Sequence, residues 1–227
     1  MPNWVSNHVQ CDNSDALSRL RDFSLIIPEH PAIALLSGLA AQHAAQLYQQ
    51  GKSWRAVATD PAFVASLDQE QKDTPAKHRL TPERAARRYL LYCKVHGCVD
   101  WYDWRCEHWG SKWNVYHYRH QGGEVWFETA LMHPWPVLEA LSRQFPAEVF
   151  SVSYADEDIG SDTGTYEMQN GKLLTGGEPD DGSREAFELA FFHWGGEEDY
   201  VLCDGNYHHR DDDEAGREDT SKSAPSA

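Results

Sequence analysis

The sequence predicts an α+β fold, an antiparallel sheet of split βαβ order with a helical insertion between its first helix and its second strand. Three observations carry this expectation. Segments alternating with period two open the chain and return after residue 110, which is strand spacing. From about Leu25 to Val99 the texture changes to Ala, Gln and Leu with apolar residues at helical spacing. Charge then separates a final third: residues 1–153 hold 16 acids and 15 bases, residues 154–227 hold 20 acids and 5 bases.

The elements follow in order. Asn3 to Cys11 alternates Trp4, Ser6 and His8 with Val5, Asn7 and Val9 and predicts the first strand. A helix capped by Asn13 or Ser14 follows, with Leu17, Leu20 and Phe23 on its apolar face. Within the insertion, Pro31 to Gln50 predicts an amphipathic helix stopped by Gly51. Ser53 to Leu67 predicts a shorter helical stretch in which Pro61 must start a new turn. Thr81-Pro82 reads as an N-cap followed by proline at the first helical position, and that helix runs to His96 before Gly97. Its Arg84, Arg87 and Arg88 form a basic face. Trp101 to Trp113 reads as an aromatic-rich loop.

Two strands, Lys112 to Tyr118 and Glu124 to Leu131, flank the hairpin signal Gln121-Gly122-Gly123. A helix from Pro136 to Gln144 and a strand from Glu148 to Tyr154 complete the order strand, helix, strand, strand, helix, strand, which is ferredoxin-like in topology alone. Short extended pieces at Thr163 to Met168 and Lys172 to Thr175 meet at Asn170-Gly171, and Ser183 caps a helix to Trp194. The organisation expected is a ferredoxin-like domain over 1–24 and 100–204 with an acidic extension, a helical insertion over 25–99, and a disordered acidic tail over 205–227.

Composition bounds the function. With 41% hydrophobic and 12% aromatic residues in 227, the chain can bury a core and is not wholly disordered. Membrane spans need roughly 18 apolar residues in a row, and no such run occurs; Met1 to Asn13 also lacks the pattern of a signal peptide, so a soluble, cytoplasmic protein is expected. A net charge of −16 argues against non-specific nucleic-acid binding, which needs Lys and Arg on phosphates, and favours a basic partner. The five cysteines are expected to be reduced thiols, and their spacing fits no iron–sulfur cluster.

Several segments together resemble the YubB or Api-like ferredoxin-like family of plasmid- and phage-borne accessory proteins. They are Met1-Pro2-Asn3-Trp4-Val5-Ser6-Asn7, Trp109-Gly110-Ser111-Lys112-Trp113-Asn114, Phe127-Glu128-Thr129-Ala130 leading to Pro134-Trp135-Pro136, and Phe145-Pro146 through Tyr154. The resemblance spans about residues 1–24 and 100–175 and implies the same sheet, with no established catalytic residues. Val5 stands where relatives carry Cys, Ser111 where Thr is usual, Asn114 where Asp is usual, and Leu131-Met132-His133 replaces a Trp-Ser-Pro pattern.

Four groups of residues are candidate sites. Cys93, Cys98, Cys106 and His108 have the residue types for zinc, but their spacing is not that of a zinc knuckle; buried thiols are the simpler reading, and no metal or cofactor is expected. His208-His209 beside Asp211 to Asp213 falls in the expected tail, where chemistry lacks fixed geometry. Trp109, Lys112 and Trp113 could stack on bases beside Arg84, Arg87 and Arg88, making helix 82–96 and loop 101–113 an alternative nucleic-acid-binding module. The favoured set is acidic: Asp156-Glu157-Asp158, Glu178 with Asp180 and Asp181, and Glu197-Glu198-Asp199, placed on loops where carboxylates can imitate duplex phosphates. With the family resemblance, these imply a non-enzymatic accessory protein that binds a basic nucleic-acid-binding surface of a host protein and inhibits it, a CRISPR surveillance complex being the most concrete target.

Overall fold

The computed structural model describes residues 3–31, 33, 37–97 and 100–210. Two compact units result, one from residues up to 27 together with those from 109 onward, the other from residues 28–108.

The first unit is built on one six-stranded sheet, β1 (Trp4–Gln10), β2 (Tyr116–Gln121), β3 (Glu124–Ala130), β4 (Val149–Asp156), β5 (Thr163–Gln169) and β6 (Lys172–Gly177), in the order β2-β3-β1-β4-β5-β6. Every neighbouring pair is antiparallel. Strands β2-β3-β1-β4 with helices α1 (Ser14–Arg19) and α7 (Trp135–Gln144) make the ferredoxin-like sandwich, and β5 and β6 widen the sheet beyond β4. Asn13 starts α1 as expected, its side-chain oxygen accepting from the Asp15 and Ala16 amides at 3.1 Å. Asn170 and Gly171 take φ of 49° and 71° in the β5–β6 turn.

Registers place Val5, Asn7 and Val9 of β1 beside Thr129, Phe127 and Val125 of β3, and Asn7 and Val9 opposite Tyr154 and Val152 of β4. This face carries the core with the two sandwich helices: Phe23, after α1, meets Phe127 at 6.0 Å and Trp135 of α7 meets Tyr166 at 4.7 Å. A third helix, α8 (Arg184–Trp194), lies on the opposite face, where His193 bonds the Ser6 and Ser153 hydroxyls at 3.0 Å each. Strand β1 is consequently buried on both sides.

The tail expected over 205–227 is corrected at its start. Asn206–His209 forms β8 and pairs with β7 (Tyr200–Cys203). Tyr200 and Tyr207 pack on Phe187 and Phe191 of α8, and the connecting Asp204-Gly205 takes positive φ at both positions, an Asp-Gly hairpin turn. The rest of that tail, 211–227, lies outside the described residues.

The second unit contains α2 (Leu39–Gln49), α3 (Trp54–Ala58), α4 (Pro61–Glu70), α5 (Pro82–His96) and α6 (Trp101–Trp109), the last ending on the first residue of the other unit. Thr81 caps α5 ahead of Pro82 as expected, and Asp60 caps α4, which Pro61 starts. Small residues, Ala40, Ala41, Ala44, Ala85 and Ala86, let these helices close on Phe63, Leu67 and Tyr89. The helix expected from Pro31 starts instead at Leu39, because Gly38 sits at φ 95° and the Glu70 carboxylate receives the Ala40 amide at 2.9 Å. The aromatic segment 101–113 is likewise corrected from a loop to a helix over its first nine residues: Asp100 accepts the Asp103 amide at 2.9 Å, and no Gly or Pro interrupts before Gly110.

Gly110 has φ 66°, and a Cβ there would stand 2.9 Å from both the His133 carbonyl oxygen and Pro136 Cδ. Gly110→Ala is therefore expected to cost about 2 kcal/mol or more, a fall of roughly 5–8 °C in Tm. Gly122→Ala, with φ 60° and nothing within 4 Å, should lose only about half as much. Thermal melts followed by circular dichroism compare the two, and equal losses would contradict the close approach.

Candidate functional site

Asn7 is fully buried in the central strand. Its amide nitrogen donates to the Val5 carbonyl at 2.8 Å and Thr129 Oγ1 at 3.0 Å, and the Thr129 hydroxyl donates onward to the Met132 carbonyl at 2.9 Å. The amide oxygen, which can only accept, lies 2.7 Å from His133 Nδ1. That places the ring proton on Nδ1 and leaves Nε2 to accept from the Tyr166 hydroxyl, also at 2.7 Å. Burial presses the His133 pKa down to about 3, with the neighbouring His193 adding to the shift, and the ring is neutral. It stacks on Tyr154 at 4.0 Å with a 16° interplanar angle. Tyr154 in turn donates to Glu178 Oε1 at 2.7 Å. Burial raises the pKa of both tyrosines, so each stays a phenol.

Beside this cluster lies a pocket of about 280 Å³, walled by His133, Trp135, Tyr154 and Met132 and rimmed by Asp162 and Glu178. A second hollow of about 420 Å³ shares Trp135, Tyr154 and Glu178 and continues over Tyr166 and Leu173. The turn that supplies His133 is held by Leu131 at φ 80°, whose amide donates to the Asn3 carbonyl at 2.8 Å. Both His133 ring nitrogens are engaged, so the cluster sets the positions of aromatic walls and does not present a free base.

The predicted acids divide. Asp156 is 2% exposed, and its Oδ1 accepts from the Asp158 amide at 2.8 Å and from Asn3 at 3.4 Å. Desolvation raises its pKa. It shapes the loop and is withdrawn as a partner contact, because a side chain at the end of a core strand has no route to a surface. Glu157, Asp158, Glu178, Asp180 and Asp181 are exposed. Two of the acidic loops are tied together: the Asp162 amide donates to Asp181 Oδ1 at 3.1 Å and the Gly182 amide to the Gly160 carbonyl at 2.8 Å. Glu197, Glu198 and Asp199 are exposed as well, in a short 3₁₀ turn leading into β7, where the Glu198 carbonyl accepts from Arg210 at 2.7 Å.

The alternative set is divided between the two units. Trp109 is 2% exposed, its indole donates to the Ile27 carbonyl at 3.0 Å and it abuts Phe23, so it is core and no stacking platform. Trp113 is half-buried, leans on Trp4 at 5.8 Å and carries Lys112 over its ring at 4.9 Å. Arg84, Arg87 and Arg88 belong to the other unit, where Arg87 lies 3.8 Å over Trp54 and Arg88 donates to Tyr92 at 3.0 Å. Of the zinc candidates, Cys93 is buried in α5, Cys106 and His108 sit on α6, and Cys98 lies outside the described residues. Among the described residues no group of three or more His, Cys, Asp or Glu is arranged to hold a metal. His208 and His209 lie on β8, and the acids paired with them in sequence are outside the described residues.

Asn7, His133, Trp135, Tyr154 and Tyr166 come from four elements and the turn before α7, and local sequence gives no sign of their meeting. The single hint was the departure at Leu131-Met132-His133 from the pattern of the resembling family.

His133 and His193 fix a pH dependence. His133 and His193 have native pKa values pressed to about 3 and about 4, while an unfolded histidine titrates near 6.5. The unfolded chain thus binds the extra protons, and this stability is complete above pH ~6.5 and declines as pH falls toward 4. Each histidine contributes a slope of up to about 1.4 kcal/mol per pH unit. Urea unfolding at pH 7, 6 and 5 should show the decline, and His133→Asn should flatten it by about half; an unchanged slope in the variant would contradict a neutral buried His133.

Residues 112–204 match a sequence model described as the ferredoxin-like domain in Api92-like protein. The match takes in β2 through β7 and leaves out β1, the strand that closes the sheet between β3 and β4. No curated protein matches the chain. A crystal structure of the protein api92 from Yersinia pseudotuberculosis is similar at 14% identity and a TM-score of 0.40, covering 79% of this chain and 98% of that one. No helix among the described residues is long and apolar enough to cross a membrane. The region from Lys112 to Asp204 is thus a ferredoxin-like domain similar to that of Api92-like proteins.

Proposed function

We propose that this protein is a non-enzymatic inhibitor that seats its acidic sheet end on a basic, nucleic-acid-binding surface of a partner protein. The observation that carries the reading is the tie between the 157–162 and 178–181 loops, which holds Glu157, Asp158, Asp162, Glu178, Asp180 and Asp181 at one end of a rigid sheet. Residues 154–204 hold 14 acids and two bases, and one of those bases, Arg184, is engaged by Glu188 at 2.7 Å. Carboxylates on pinned loops, in such excess over bases, speed encounter with Lys- and Arg-rich surfaces and compete there with phosphates. The resemblance to plasmid- and phage-borne accessory proteins supplies the setting: a cytoplasmic protein of a mobile element acting on a host defence complex, of the anti-CRISPR kind. An ordered acidic face of this type suits nucleic-acid mimicry better than simple solubility would require, since the loops are pinned by hydrogen bonds to one another.

The quadruple variant Glu157→Gln, Asp158→Asn, Asp180→Asn, Asp181→Asn leaves the buried Asp156 and the core intact. In displacement of target DNA from a purified CRISPR surveillance complex, the wild type should compete in a salt-sensitive manner and the variant should be weaker by on the order of tenfold or more. Equal competition by both, or none by the wild type, overturns the reading.

A further inference from the structure

We propose that the aromatic pocket between the His133 turn and the Glu178 loop is a receptor for one arginine side chain of that partner. The inference rests on the acidic end being the partner-facing one and adds to it a specific anchoring point. Three features of the pocket select the occupant. Its walls are π-faces: Tyr154 stacks on His133, and Trp135, 38% exposed, leans on Tyr166 at 4.7 Å. Its rim carries Glu178 and Asp162. Its back carries no positive charge, because His133 is buried, with Asn7 holding its Nδ1 proton and Nε2 accepting from the Tyr166 hydroxyl.

A cavity of about 280 Å³ with aromatic walls and a carboxylate rim fits a flat, weakly hydrated cation. Guanidinium meets both demands, stacking on a ring while donating in its own plane to a carboxylate, whereas an ammonium is a compact and strongly hydrated point charge. The Tyr154 hydroxyl already occupies one site on Glu178 Oε1 and so aims the carboxylate; a carboxylate has about four acceptor positions, enough to take a guanidinium as well. The same pocket explains why Trp135 and Met132 stay exposed beside a finished core: they form the lip of a site that a partner's side chain covers.

The test uses the full chain and a blocked Gly-Gly-Arg-Gly-Gly peptide, with lysine and citrulline counterparts, followed by NMR at the Trp135 indole. The arginine peptide should saturate that signal with a millimolar Kd, with lysine and the isosteric neutral citrulline at least fivefold weaker. Trp135→Ala and Glu178→Gln should each weaken the arginine peptide about tenfold, and Glu185→Gln, the same change of charge on α8 away from the pocket, should stay within twofold. Equal losses in Glu178→Gln and Glu185→Gln would reduce the effect to the general acidic field. Citrulline binding as well as arginine would mean an apolar pocket, and lysine binding as well would mean an unselective cation site; each outcome overturns the proposal. The two readings fail separately. Full DNA displacement by Trp135→Ala removes the pocket and leaves the acidic face, whereas arginine binding without displacement by the wild type keeps the pocket and removes the inhibitor.

Discussion

A buried amide in the middle of the sheet is the constraint on which the rest of this unit depends. Asn7 sits in β1, which has strand partners on both sides and is buried along both faces. Leaving its donors or acceptor unpaired there costs about 1–3 kcal/mol for each group. The surrounding chain satisfies them with the Val5 carbonyl, Thr129 and His133, and those partners fix further residues in turn. Thr129 holds the Met132 carbonyl, His133 accepts from Tyr166, and Tyr154 stacks against the imidazole. A chain of hydrogen bonds therefore runs from the centre of the sheet to the pocket at its end, and the geometry of that pocket follows from one side chain some distance from its opening.

What could be read from the sequence was what local rules decide. Alternation gave β1, Pro61 gave the start of α4, the Thr81-Pro82 pair gave α5, and Asn170-Gly171 gave the outer hairpin, because each is settled within a few residues. The errors came where a distant contact or an overlooked turn prevailed. Glu70, thirty residues away, receives the amide that starts α2. Asp204-Gly205 carries a hairpin signal, but the acidic composition around it masked the turn, and Tyr207 orders the strand by packing on α8. Asp156 looked like its neighbours Glu157 and Asp158, but it is the last residue of β4 and is buried, whereas the other two lie beyond the strand and are exposed. The pocket was the least legible part, since its residues meet only once the strand order β1-β4-β5 is known.

The charge asymmetry also gains a spatial meaning. An acidic composition by itself favours solubility and acts at long range, but it selects no partner within the basic class. The acids of the 157–162 and 178–181 loops differ from a solvated tail because hydrogen bonds tie the two loops together, and because a set of uncharged aromatic walls opens between them. Long-range attraction and short-range selection thus come from adjacent residues, the carboxylates bringing a basic surface in and the π-faces discriminating among its side chains.

Two neighbouring residues of β1 show how one strand serves both faces. Ser6 and Asn7 point in opposite directions because side chains alternate along a strand, and each meets a histidine: Ser6 with Ser153 holds His193 under α8, and Asn7 holds His133 beneath the pocket. Burial presses both rings into the neutral form. A neutral imidazole with both nitrogens satisfied is a flat, rigid and uncharged spacer, which a leucine could imitate in volume but not in orientation. On the α8 side the spacer locks a helix onto the sheet. On the other side it fixes the rings of Tyr154 and Tyr166, and a charged imidazolium in the same place would repel any cation drawn in by Glu178. The polar strand at the centre of this sheet is therefore what permits an acidic surface to have an uncharged interior directly behind it.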